Sequence, residues 1–127
     1  MSATGSGRLN RSAWLSVVLW VAVILVITSW PSPPIPQGTP TGLDKVVHFS
    51  MYAVLGGLVG RAADPASGRR SAQLIAVMAC FAAADEVHQR WIPGRGPDVG
   101  DWLADLAGAT AGLLAMPRRA RVVFSSN

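Results

Sequence analysis

Charge and cysteine are both scarce in this sequence. Asp, Glu, Lys and Arg make up 14% of the 127 residues, where an average soluble domain carries about 25%, so whole segments do not face water. The one cysteine, Cys80, lies inside an apolar run. It excludes a disulfide framework and a thiolate zinc site and is expected to pack. Familiar catalytic signatures are missing too. No HExxH, P-loop, GxSxG or paired CxxC occurs, which removes the zinc-protease, NTPase and serine-hydrolase signatures. Basic residues outnumber acidic ones, eleven to seven, giving a net charge of +4 and a pI near 10.6. They are spread over loops and tails rather than gathered on one soluble face, so no nucleic-acid partner is expected.

What the chain does have is apolar surface: 50% hydrophobic residues and a mean hydropathy of +0.35. Four spans of about 20 residues would use about 80 residues and leave no room for an extramembrane catalytic domain. The expected fold is all-α, an integral membrane four-helix bundle. Residues 1–12 form an N-terminal tail, 13–116 the transmembrane domain and 117–127 a basic C-terminal tail, with spans at about 13–30, 45–63, 71–89 and 99–116.

The first span is wholly apolar from Val17 to Ile27. A signal peptide is its rival, given Arg8 and Arg11, but Thr28-Ser29-Trp30-Pro31 lacks a small-x-small cleavage pattern, which favours an uncleaved anchor. Trp14 and Trp30 suit the interface, as do Trp91 and Trp102, while Trp20 is internal. Pro31, Pro33, Pro34, Pro36 and Pro40 force an extended external loop, after which Asp44 is placed to cap the second helix. Gly56 and Gly60 on the second span, like Gly108 and Gly112 on the fourth, are spaced for close helix contact. These faces suit contact within the chain or a homodimer, and the sequence does not choose between them.

Short loops rich in Lys and Arg stay cytoplasmic. With the N-terminus inside, Arg8, Arg11, Arg61, Arg69, Arg70, Arg118, Arg119 and Arg121 all lie inside, eight of the eleven basic residues, so both termini are expected to be cytoplasmic. The acids fall the other way: only Asp64 is inside, while Asp44, Asp85, Glu86, Asp98, Asp101 and Asp105 lie in the outer half with His48, His88, Gln89, Arg90 and Arg95. Asp44, His48, Tyr52, Gly56 and Gly60 follow at four-residue steps along one stripe. Asp101 and Asp105 stand one turn apart, roughly 6 Å. Asp85 shares a face with Gln89, and Glu86 is spaced to pair with Arg90. A carboxylate in hydrocarbon costs several kcal/mol unless paired or wet, so such residues mark function by default.

Each group also has a plain structural use. Asp44 serves as a cap and Lys45 as an interfacial snorkeller; Asp101 and Asp105 serve as partners of Arg90 or Arg95. His48, a turn inside its span, is a candidate ligand or proton carrier. The adjacent carboxylates Asp85 and Glu86 repel and must be neutralised by Arg, His or a cation.

Three ordered blocks carry a family resemblance. Asp44-Lys45-Val46-Val47-His48-Phe49-Ser50-Met51-Tyr52, then Asp85-Glu86-Val87-His88-Gln89 and Arg95, then Asp98 to Asp101 with Asp105 and Gly108, together resemble the VanZ-like membrane proteins across about residues 13–116. The family pattern runs D-K-x-x-H-F-x-x-Y, D-E-x-x-Q, a loop Arg and D-x-x-D-x-x-x-[ND]-x-x-G; here Asp105 stands where the family often has Asn. The resemblance implies a multi-pass protein of the bacterial cytoplasmic membrane with a role in the cell envelope. The family's namesake is associated with resistance to the glycopeptide teicoplanin, and the resemblance carries over no reaction.

Three functions fit. In the first, the cluster binds or modulates a lipid-linked cell-wall precursor, another envelope molecule or a glycopeptide through Asp44, Lys45, His48, Tyr52, Asp85, Glu86, Gln89, Arg95, Asp98, Asp101 and Asp105, with Lys45 and Arg95 meeting anionic groups. In the second, the chain is a metal-assisted enzyme on a phosphate-bearing lipid: Asp85, Glu86, Asp101 and Asp105 are the metal candidates, His48, Asp85 and Glu86 the catalytic ones. Carboxylate-rich ligation favours Mg²⁺ or Mn²⁺ over zinc. A small proton-coupled transporter ranks last, because the polar residues gather toward one side.

Overall fold

The structure, a computed structural model, describes residues 5–31 and 42–118. Among these residues the chain is all-helical: α1 (Gly5–Thr28), α2 (Leu43–Ala63), α3 (Gly68–His88) followed by one 3-10 turn (Gln89–Trp91), and α4 (Val99–Ala115). Pro33, Pro34, Pro36, Pro40, Arg119 and Arg121 lie outside the described residues. Helix α1 starts earlier than the sequence suggests, at Gly5, so much of the expected tail is helical.

Local chemistry sets the helix ends. The Ser67 side chain accepts from the Arg70 amide at 3.2 Å to open α3, and Asp98 accepts from the Gly100 amide at 2.7 Å to open α4; both are short polar caps satisfying an orphan amide. Asp44 does not cap α2. The helix begins at Leu43, two residues earlier than that cap requires, after Gly42 in a left-handed conformation (φ 91°), and Asp44 sits inside the first turn. Its carboxylate still favours the positive end of the helix dipole. Helix α2 stops at Asp64, itself left-handed (φ 42°), with Pro65 next.

Helices α2 and α4 run in the same direction and form the heart of the molecule, with His48 against Asp105 at one end and Gly56 against Leu113 further along. Their backbones nearly touch. A Cβ built at Gly108 would fall on the Phe49 carbonyl, one at Gly112 on the Ala53 carbonyl and one at Gly56 on the Ala109 carbonyl. Both glycine faces thus meet each other within one chain, the small-residue contact that lets helices approach closely. Two indoles fasten the outer helices: Trp20 Nε1 donates to the Met51 carbonyl at 2.9 Å, joining α1 to α2, and Trp102 Nε1 donates to the Ala79 carbonyl at 3.0 Å, joining α4 to α3. Trp102 is therefore a half-buried stitch between helices, not the interface anchor its position suggests.

Tyr52, Leu55, Ile24, Ala82, Ala109 and Leu113 fill a narrow core. Outside it the surface is apolar, with Val18, Leu19, Val26, Val77 and Leu114 exposed. Cys80 also faces outward, correcting its expected packing role. Among the described residues, two helices are long and apolar enough to cross a membrane, Arg11–Thr28 and Leu43–Ala63, and only 17% of the first is buried within the protein. Helix α4 has 17 residues, about 25 Å at 1.5 Å per residue, and α3 carries Arg69, Arg70, Asp85 and Glu86 at its ends.

Candidate functional site

The start of α2, the end of α3 and the start of α4 meet at one end of the bundle and bring most of the acidic residues together. Arg11, Arg61, Arg69, Arg70 and Arg118 lie toward the other end. The acidic end is layered.

The outer layer is built around Lys45. Its ammonium lies 3.0 Å from Asp44, 2.7 Å from Asp98 and 2.6 Å from Asp101. Gly100 makes room for this reach, since a Cβ there would meet Lys45 Cε at 2.8 Å. The Lys45 ammonium and the Gly100 amide hold the exposed Asp98 carboxyl below the ordinary Asp value, because both favour its charged form.

Asp101 joins the layers. One of its oxygens takes Lys45, and the other lies 3.6 Å from His48 Nε2. On the far side of the ring, His48 Nδ1 is 2.9 Å from Asp105 Oδ1 and 4.0 Å from Glu86 Oε1. Glu86 Oε2 accepts from the Asp98 backbone amide at 3.0 Å, and Gln89 Nε2 donates to Glu86 Oε1 at 3.4 Å. The expected Glu86–Arg90 pair does not form: Glu86 turns inward, while the Arg90 guanidinium lies 6.0 Å from the Trp91 ring centroid.

Deepest are Asp85 and Tyr52. The Thr28 hydroxyl lies 2.9 Å from Asp85 Oδ1 and 3.0 Å from its own helix carbonyl at Ile24. A hydroxyl has one proton, so it donates to one of these oxygens at a time. Tyr52 is fully buried against Phe81, ring centroids 6.1 Å apart. Its hydroxyl, Asp85 Oδ2 and Asp105 Oδ2 are buried and lack a hydrogen-bond partner among the described residues. Unmet buried polar atoms each cost about 1–3 kcal/mol, more when charged.

Of the residues singled out in the sequence, Asp44, Lys45, Asp98 and Asp101 form the outer layer, and His48, Tyr52, Asp85, Glu86, Gln89 and Asp105 the inner one. Arg95 is engaged elsewhere. Its Nε donates to the Trp30 carbonyl at 2.7 Å and its Nη2 to the Ile27 carbonyl at 3.3 Å, so it meets the carbonyls that end α1 and ties that helix to the loop before α4. Nor do Asp101 and Asp105 pair with Arg90 or Arg95; Lys45 and His48 hold them. Thr28 was missed. Its signal was a hydroxyl closing an apolar span at the polar end, weak because such hydroxyls also bond back to their own helix.

Chemically, the arrangement offers a base or ligand nitrogen among carboxylates, a lysine at the mouth and aromatic residues at the rim. The family model described as VanZ/LLP1 matches residues 10–121. No curated protein and no solved structure matches the chain.

Proposed function

The chain belongs to the VanZ/LLP1 family, and from that membership we propose a four-span protein of the bacterial cytoplasmic membrane that holds a phosphate-bearing, lipid-linked cell-envelope molecule at its outer face. Both termini lie in the cytoplasm under this reading, following the arginines of the opposite end. Lipid covers the exposed valines and leucines, which in water would form an apolar surface beyond the usual patch of a soluble monomer.

One observation carries the reading: the layered polar cluster opens at the level of Trp30 and Trp91, both more than two-thirds exposed. Indole rings favour the headgroup region, so the mouth lies where a lipid presents its phosphate. Lys45, a third exposed at its side chain, is the cation that a phosphate meets there, displacing the exposed Asp44 and Asp98. The acyl chain lies along the apolar faces of the bundle.

A second reading, turnover of the same lipid, is favoured by the surroundings of His48, whose two ring nitrogens face carboxylates at 2.9, 3.6 and 4.0 Å. Such a histidine is oriented for proton transfer. The test uses protein in nanodiscs, incubated with bacterial lipid extract containing cell-wall precursors and Mg²⁺, with lipid masses followed over time. The binding reading expects one phosphate-bearing lipid to co-purify with the wild type and not with a Glu86→Gln, His48→Ala variant. A mass change made by the wild type alone, and stopped by chelator, supports the enzyme. If neither a captured lipid nor a mass change is seen, the site serves no envelope lipid. The link to glycopeptide resistance belongs to the same proposal: expression in a sensitive host is expected to raise the inhibitory teicoplanin concentration, and the double variant is not.

A further inference from the structure

Two groups of three side chains bring their ligand atoms within 4.8 Å of one another: Asp44, Asp98 and Asp101, and deeper, His48, Glu86 and Asp105. The outer group already has its cation in the Lys45 ammonium, 2.6 to 3.0 Å from all three carboxylates. The inner group does not. Its three members are at most 5% exposed, and no lysine or arginine ion pair reaches them among the described residues. Glu86 and Asp105 thus face the one imidazole of His48, and the buried Asp85 stands near them. Asp105 Oδ2, Asp85 Oδ2 and the Tyr52 hydroxyl add three buried polar atoms with no hydrogen-bond partner. Buried charge of one sign persists only when paired or bound to a metal.

We infer that His48 Nδ1, Glu86 Oε1 and Asp105 Oδ1 bind one divalent transition-metal cation. The separations of 2.9 and 4.0 Å from Nδ1 to the two carboxylate oxygens suit ligands that share an ion at roughly 2.0–2.2 Å each. An imidazole in the set favours a first-row transition ion over Mg²⁺ and Ca²⁺, and the two carboxylates beside it also suit Mn²⁺. The surrounding contacts fit as well. A histidine that ligates through Nδ1 carries its proton on Nε2 and usually directs it to a carboxylate; here Nε2 faces Asp101, which Lys45 holds in place. Glu86 is steadied by the Asp98 amide and Gln89. The use of the ion, presenting positive charge to a phosphate at the mouth, rests on the function proposed above. Its existence does not.

The rival is a dry cluster that keeps protons in place of the metal. Full-length protein in detergent, stripped with EDTA and dialysed, is titrated with Mn²⁺ while the EPR signal of the free ion is followed. One Mn²⁺ per chain is expected, with affinity at least tenfold weaker in Asp105→Asn and His48→Gln. Pulsed EPR on the wild type is expected to show one coupled nitrogen, a readout that needs no variant to fold. Failure to bind, binding without a coupled nitrogen, or binding lost in Asp98→Asn but kept in Asp105→Asn overturns the assignment. Mn²⁺ bound with no lipid captured in nanodiscs keeps the metal site and removes the lipid reading; lipid captured by protein that takes no Mn²⁺ does the reverse.

Discussion

Replacing Gly108 by Ala forces apart the two helices that carry the site. The new Cβ would land on the Phe49 carbonyl, 2.9 Å from its carbon and 3.0 Å from the Ala53 nitrogen. These are backbone atoms and cannot rotate aside. Ordinary van der Waals contacts are about 3.5–4.0 Å and the nearest atom is the Phe49 carbonyl oxygen, so α4 must retreat by about 1 Å or more. Overpacking of this kind costs about 1–3 kcal/mol, partly offset by the ~1 kcal/mol that alanine gains over glycine inside a helix. Gly57→Ala separates the two effects. Its Cβ meets Met116 Cε at 3.6 Å and the Gly112 carbonyl at 3.8 Å, which are ordinary contacts, so it gains the propensity without the clash. Denaturant titrations in detergent, followed by helical circular dichroism, are expected to place Gly108→Ala about 1–3 kcal/mol below Gly57→Ala. The retreat also stretches the 2.9 Å His48–Asp105 contact nearby, so Mn²⁺ affinity is expected to fall in Gly108→Ala alone. Equal stability and equal affinity in the two variants would refute the close-approach argument.

Thr28→Val keeps the shape of the side chain and removes its hydrogen bond to Asp85. A loss of about 1 kcal/mol is expected, in the range of hydrogen bonds between membrane helices, with Thr28→Ser close to wild type in the same titration. Asp98, depressed by Lys45 and the Gly100 amide, should titrate below the ordinary value of 3.8 in carbon-detected NMR. Its pairing therefore stabilises the fold above pH 3.8 and fades as pH falls through the depressed value; Lys45→Met should return the carboxyl toward 3.8. Orientation is read with a charged maleimide on cells. In a Cys80→Ser background, a cysteine at Gly94 is expected to label from outside and one at Arg69 only after permeabilisation, and the opposite pattern would invert the proposed topology.

The helical fold and the makeup of the polar end could be read from the sequence where periodicity alone decides. The four-residue stripe from His48 through Tyr52 to Gly56 and Gly60 needs only helix geometry. Partner choice was less accessible, because it depends on packing between distant segments. Nothing local says that Thr28 meets Asp85, or that Arg95 turns to the end of α1 rather than to the acids. Asp44 looked like a cap because its side chain is a good one, yet Gly42 supplied the left-handed start and the helix began earlier. Trp102 reads as an anchor because of its position near a helix start, whereas the packing of α4 against α3 directs it inward to Ala79. Cys80 lies in an apolar run that has both an inner and an outer face, and composition could not say which one it occupies.

The two buried side-chain bonds that link distant helices, Thr28 with Asp85 and His48 with Asp105, each join residues 57 positions apart. Leu113 sits over Gly56 at the same interval. The chain is thus two helical hairpins laid side by side and pointing the same way, matched position to position. Their contributions are unequal. The first hairpin brings the ammonium, the imidazole and the hydroxyls; the second brings five of the six acids at the polar end. Apart from Lys45 with Asp44, every ion pair described crosses from one hairpin to the other. A chain cut in the loop between α2 and α3 would therefore yield two fragments, one holding the donors and the other most of the acceptors, and the polar end would exist only in their complex.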